Sequence, residues 1–134
     1  METEGIVSID TILLVRFLVE DKGAEDQCQA AKELFKTRAV FIPESVLLET
    51  EWVLRAVYSV DREEIHAAYN KLLGLRQVFV PDRQVLRQVL ACYAAGFDFA
   101  DAWHLIRGEG HEMKTFDKNF IEKARRAGYS ASSP

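Results

Sequence analysis

Four short apolar runs limit what this chain can fold into. Ile6–Ile9, Ala39–Ile42, Val78–Val80 and the weaker Met113–Thr115 each stand just ahead of a stretch with helical periodicity. Runs of three or four residues suit buried strands rather than helices, and helices between them suit parallel crossovers. The helical stretches run from Thr11 to about Glu20, Ala24 to Lys36, Pro43 to Tyr58, Asp61 to Gly74, Asp82 to Gly96, Phe97 to Arg107 and Asp117 to Ala127. Cys28, Ala31, Leu34 and Phe35 share a face of the second, Pro43 suits a first helical turn, and Asp61 with Glu64 has capping-box spacing. The pattern predicts an α/β fold, a short and mainly parallel central sheet covered by helices on both faces. With 134 residues, one domain is expected over residues 1–127, followed by a small, polar, frayed tail at 128–134.

Composition removes several function classes. No run approaches the ~18 apolar residues of a membrane span, and the N-terminus is acidic where a secretory signal would be basic. The expected setting is cytoplasmic. Cys28 and Cys92 form neither a disulfide framework nor a zinc spacing, so they read as small buried hydrophobes in a reducing compartment. A net charge of −4 argues against a simple basic coat for nucleic acid.

In a parallel sheet the chemistry lies beyond the carboxyl ends of the strands, so the residues that follow strands matter first. Asp10 follows the first run and Asp117 the last. Asp is also a favoured helix N-cap worth about 1 kcal/mol, and either residue alone reads first as a cap. Three more acids stand in apolar helical text, at two places. Glu49 lies three or four residues from Val46, Trp52 and Val53, on a partly apolar face, while Glu51 is turned toward solvent. Asp98 and Asp101 stand at i and i+3 on one helix face, a spacing at which like charges repel unless solvent or a cation separates them.

The stretches Ser8-Ile9-Asp10-Thr11-Ile12-Leu13-Leu14-Val15-Arg16, Glu49-Thr50-Glu51-Trp52-Val53-Leu54-Arg55, Asp98-Phe99-Ala100-Asp101-Ala102-Trp103-His104-Leu105 and Thr115-Phe116-Asp117-Lys118-Asn119-Phe120 occur in this order. Together they resemble the PIN-domain family, and within it the VapC-type toxins of bacterial toxin–antitoxin pairs. The resemblance runs from about Ile6 to Ala127 and implies a three-layer α/β/α sandwich. It also implies a metal-dependent endoribonuclease that cuts single-stranded or looped RNA to inhibit translation. By that resemblance Asp10, Glu49, Asp101 and Asp117 are the catalytic acids and, with Asp98 as an outer or shared ligand, the metal ligands. Thr11 and Thr115 would support them from behind, and Arg16 would touch phosphate. The resemblance further implies a homodimer and a cognate antitoxin protein, which would silence the site with a basic side chain.

Carboxylates without a histidine or thiolate set select hard cations, chiefly Mg²⁺ or Mn²⁺. Such an ion orients and deprotonates a water and stabilises charge on a phosphate under in-line attack. The first motif departs from the family's usual Asp-Thr-Asn, with Ile12 at the asparagine position. Loss of such a polar supporting group can cost about 10–100-fold in metal affinity or activity. The segment Gly108–Lys114 is also shorter and more polar than a strand approach should be. Two other readings follow: a non-catalytic PIN-like module that binds RNA or a protein, and a metal-dependent phosphatase of another α/β class. The second lacks the aspartate that haloacid-dehalogenase-like enzymes place two residues after the first, where Ile12 stands.

Arg55 and Arg107 read as solvated surface residues, His104 as a hydrogen-bonded structural residue, and His66 and His111 as surface. Trp52, Trp103, Phe97 and Phe99 read as core or interface aromatics rather than base-stacking groups. Setting aside the four catalytic candidates leaves acids and bases equal, 17 of each. The acidic total is then the charge of the candidate site itself and does not exclude an RNA substrate.

Overall fold

The computed structural model describes residues 5–134 and is a mixed α/β fold with short parallel strands in two small sheets. The acidic start of the chain, residues 1–4, lies outside the described residues. The chain divides into two compact units, one running to Arg83 and the other from Gln84 to Pro134.

In the first unit, β1 (Val7–Ser8), β2 (Val40–Phe41) and β3 (Val78–Phe79) form a parallel sheet in the order β1-β2-β3. Val7 stands opposite Val40 and Val40 opposite Val78. The ladder extends beyond the strands through Ile9 N–H to the Phe41 carbonyl (3.3 Å) and Ile42 N–H to the Phe79 carbonyl (2.8 Å). Between β1 and β2 come α1 (Thr11–Leu18), a 3-10 turn (Lys22–Ala24) and α2 (Glu25–Thr37). Between β2 and β3 come α3 (Glu44–Ala56) and α4 (Arg62–Gly74). Each crossover is longer than the dozen or so residues that a parallel pair needs. Leu14, Val15, Phe35, Val40, Ile42, Leu47, Leu54, Ile65 and Tyr69 are fully buried, and the Tyr69 hydroxyl donates to the Leu47 carbonyl.

Pro43 caps α3 instead of opening its first turn, because its extended ψ leaves it outside the helix. Asp61 holds the cap position of α4, but its side chain makes no cap hydrogen bond, so the capping-box expectation fails at the side chain.

In the second unit, α5 (Arg83–Ala94) is followed by α6 (Phe99–Arg107), β4 (Met113–Lys114), α7 (Lys118–Arg126) and β5 (Ala131–Ser132). Gly96, with φ at +104°, takes a backbone conformation that side chains disfavour, and it turns the chain between α5 and α6. Tyr93, Phe99 and Trp103 form an edge-to-face aromatic series with centroids 4.9 and 6.2 Å apart, and Phe97 meets Phe120 edge-on. These aromatics are core, as the sequence predicts.

Two expectations change here. The fourth strand does not extend the three-stranded sheet: β4 pairs in parallel with β5, Met113 opposite Ala131. The tail is accordingly not frayed at Ala131–Ser132. Ala131 is buried, and its carbonyl accepts from the Arg125 guanidinium at 2.8 Å. Both cysteines are buried and free, as expected for small apolar fillers. No helix among the described residues is long and apolar enough to cross a membrane.

Candidate functional site: carboxylates at helix starts

Three of the five sequence-predicted acids cap helices. Asp10 caps α1, its Oδ1 accepting from the Leu13 amide at 3.0 Å. Asp98 caps α6 through the Asp101 amide (3.1 Å), and Asp117 caps α7 through the Phe120 amide (3.0 Å). Each cap follows from an extended backbone running into a helix, where a short side-chain oxygen reaches the first free N–H groups. One oxygen of each carboxylate is used in this way. The other carries no hydrogen bond among the described residues, so the cap leaves a free acceptor.

In the first unit, Glu49 lies on α3, exposed, and accepts a short hydrogen bond from the Thr11 hydroxyl. Thr11 is itself buried and directly follows Asp10. The supporting role expected of Thr11 therefore has a physical basis: it fixes the glutamate. Asp10 also borders a hollow of about 370 Å³ floored by Ala30, Ala31 and Leu34 of α2, with Ile12, Leu13, Arg16 and Gln27 on its walls. Ile12, 49% exposed, presents an alkyl group there rather than an amide.

In the second unit, Asp101 is half-buried on α6. Burial is the main cause pushing its carboxyl above the ordinary value; the Asp98 charge adds to this, and the Asp117 charge adds a smaller push. His104 and Lys123 act the other way. Asp98, Asp101 and Asp117 thus share one electrostatic environment. Asp98 and Asp101 are not two members of one exposed helix face, as the spacing suggests. Asp98 precedes the helix and binds the Asp101 backbone, which relieves part of the repulsion. Thr115 is placed as expected beside the last acid, its Oγ1 accepting from the Asp117 amide at 3.1 Å.

The donor chemistry is that of a hard-cation site: carboxylate oxygens, several of them free. No group of three or more His, Cys, Asp or Glu among the described residues is placed so that it could hold a metal ion. Mg²⁺ retains several waters and often takes only one or two carboxylates directly, so the residues present fit such an ion as an open, water-rich site.

Other candidates fall differently. Arg16 is tied into a network, donating to Gln27 at 2.8 Å and to the Tyr58 hydroxyl at 3.0 Å, while Tyr58 donates to Asp21 at 2.7 Å. The sequence gives no sign of this cluster, because its members come from three separate elements. Glu51, expected in solvent, is 3% exposed and ion-paired with Arg55 at 2.9 Å; Trp52, expected to pack, is 55% exposed. The buried stripe of α3 is Val46, Leu47, Thr50, Glu51 and Leu54, which turns both residues the opposite way. Arg55 is exposed, as expected, and is also the charge partner of Glu51. His104, expected to be a hydrogen-bonded structural residue, is exposed with no side-chain hydrogen bond among the described residues, and His66, expected at the surface, is half-buried with Nδ1 3.1 Å from the Asn70 amide. Trp103 Nε1 and Thr50 Oγ1 are buried without a hydrogen-bond partner among the described residues.

No known family model matches this chain, and no curated protein matches it.

Proposed function

We propose that this chain is a Mg²⁺- or Mn²⁺-dependent endoribonuclease of the VapC toxin type, built on a PIN-like α/β/α sandwich and acting on single-stranded or looped RNA. The observation that carries the reading is the electrostatic environment of Asp101, whose carboxyl is raised by burial and by the neighbouring Asp98 and Asp117. Carboxylates near one another repel, and a divalent ion bound among them lowers that energy. The order of the four acid-bearing motifs and the Thr11–Glu49 hydrogen bond support the same reading.

Asp101 and Asp117, with Asp98 as an outer ligand, are the proposed metal ligands of the second unit, and Asp10 and Glu49 those of the first. When bound, the ion would supply Lewis-acid charge on the phosphate and would orient and acidify the attacking water. The chain's own residues orient and restrain. Thr11 holds Glu49 by a hydrogen bond, Thr115 fixes the backbone at Asp117, and the caps hold the side chains of Asp10, Asp98 and Asp117 at helix starts. The His104 and Lys123 charges oppose the rise at Asp101. A homodimer, a cognate antitoxin and a cytoplasmic setting belong to the same proposal.

One observation favours a second reading, a non-catalytic RNA- or protein-binding module. It is Ile12, an exposed alkyl side chain beside Asp10 where an amide would support the ion.

The test compares wild type with the Asp101→Asn, Asp10→Asn and Glu49→Gln variants on single-stranded and hairpin RNA, with Mg²⁺, Mn²⁺ or chelator. Metal-dependent cleavage lost in all three variants supports the nuclease. Cleavage by the variants at the wild-type rate overturns the site. Wild-type RNA binding without metal uptake by calorimetry or any cleavage favours the binding module.

A further inference from the structure

Phe116 is 85% exposed, the highest value among the exposed large apolar side chains of the described residues. Leaving a phenylalanine in water forgoes about 1.5–3 kcal/mol of burial, and the open ring face is available to a flat partner. The backbone that carries it is fixed on both sides. Thr115 N–H donates to the Ser132 carbonyl at 3.2 Å, Asp117 N–H to Thr115 Oγ1 at 3.1 Å, and Phe120 N–H to Asp117 Oδ1 at 3.0 Å. The ring is therefore held out from a braced turn. Two residues on, Lys118 is exposed and has no ion pair or hydrogen bond among the described residues.

A flat apolar ring, a free cation and a carboxylate within three successive positions match the parts of one nucleotide: base, phosphate and phosphate-bound metal. We propose that Phe116 is a stacking platform for one unpaired nucleobase, with Lys118 on the adjoining phosphate, so that a single strand runs past Asp117. This rests on the ribonuclease reading and deepens it, naming Phe116 and Lys118 as the residues that seat the unpaired strand. Duplex bases are already stacked on both faces and leave no surface for the ring.

The test uses the full chain in chelator, where no cleavage occurs. Phe116→Trp places a fluorophore at the site; its emission is expected to be quenched by a single-stranded oligoribonucleotide, beyond any change in wild type, and not by a duplex of the same sequence. Phe116→Ala is expected to weaken single-strand binding about 5- to 100-fold, and Phe116→Tyr to restore it. Lys118→Gln is expected to flatten the salt dependence of binding by about 0.7 in log–log slope. Phe116 is exposed, so these variants should keep the wild-type melting temperature. An unquenched Phe116→Trp, or Phe116→Ala binding as wild type does, overturns the proposal, as does a ring protected only by a protein partner. If Asp117→Asn abolishes cleavage while Phe116→Ala keeps full RNA affinity, stacking fails and the nuclease stands. If wild type cuts no RNA yet Phe116→Ala loses affinity, the nuclease fails and stacking stands.

Discussion

The Thr11 hydroxyl donates to Glu49 Oε1 and so joins the first turn of α1 to the middle of α3. The residue directly after one candidate ligand thereby sets the rotamer of another. Asp10 and Glu49 are positioned by one local device: the backbone turn that lets Asp10 cap α1 also aims Thr11 at α3.

This bond separates positioning from ligation. Thr11→Val keeps the shape but removes the donor, and Glu49 is exposed enough to be hydrated instead. The expected cost is about 1 kcal/mol, read from urea unfolding midpoints. Glu49→Gln keeps an acceptor for Thr11 and should unfold within about 0.5 kcal/mol of wild type. If the proposed function holds, it still loses metal-dependent cleavage.

Asp101 should make stability fall with rising pH. Its folded carboxyl lies above the ordinary value, chiefly through burial. Between the unfolded and folded values the native state keeps a proton that the unfolded chain has lost, so stability drops as pH rises through that window. Asp101→Asn removes the penalty. The variant should melt higher than wild type at neutral pH, with the gain vanishing below the ordinary carboxylate range. Under the proposed function, Mg²⁺ should raise the melting temperature of wild type and leave the variant nearly unmoved. Thermal melts across pH, with and without Mg²⁺, check both.

The buried Glu51 depends on Arg55, whose Nε and Nη2 lie 2.9 and 3.4 Å from its two oxygens. Arg55→Ala leaves a carboxylate in the interior without this partner, and a loss of about 2–3 kcal/mol is expected by equilibrium unfolding. Glu51→Gln, which removes the charge instead of stranding it, should cost less.

Tyr58→Phe tests the cluster around Arg16. The Tyr58 hydroxyl is the largest cause holding the Asp21 carboxyl below its ordinary value, followed by the Gly23 amide, with burial opposing and Arg16 adding a smaller pull. The resulting stability is present above the unfolded value and is lost as pH falls through the lower folded one. The variant should therefore be less stable than wild type at neutral pH, and the two should converge in acid. Unfolding at several pH values reads the convergence.

Junctions were the most legible part of the sequence. Asp10 and Asp117 fall where apolar runs give way to helices, and a cap there is dictated by local geometry that spacing reveals. The phase of α3 was not legible. Apolar residues occur around much of its circumference, so Val46 and Val53 drew Glu49 toward the apolar side when the buried stripe centres on Thr50 and Glu51. The β5 strand was hidden for another reason: two residues of Ala-Ser offer no alternation, and only pairing with β4 makes them a strand. The Arg16–Tyr58–Asp21 cluster is tertiary and has no sequence period at all. Phe116, singled out only as part of a motif, has an exposure that sequence pattern does not encode.

Strands of two residues have a consequence for the order of events in folding. Val7, Val40 and Val78 are each separated from the next rung by two helices, whereas Met113 meets Ala131 across α7 alone. A two-residue strand makes too few ladder bonds to hold itself, so each rung must wait for the helices that bring its ends together. The short β4–β5 closure, and with it the brace behind Asp117, would form from nearby chain. The longer closures that bring β1 beside β2 and Thr11 to Glu49 would come later. The last carboxylates to find their places would then be those of the first unit, and amide exchange that is slower to become protected at Ile9 and Ile42 than at Thr115 would record that delay.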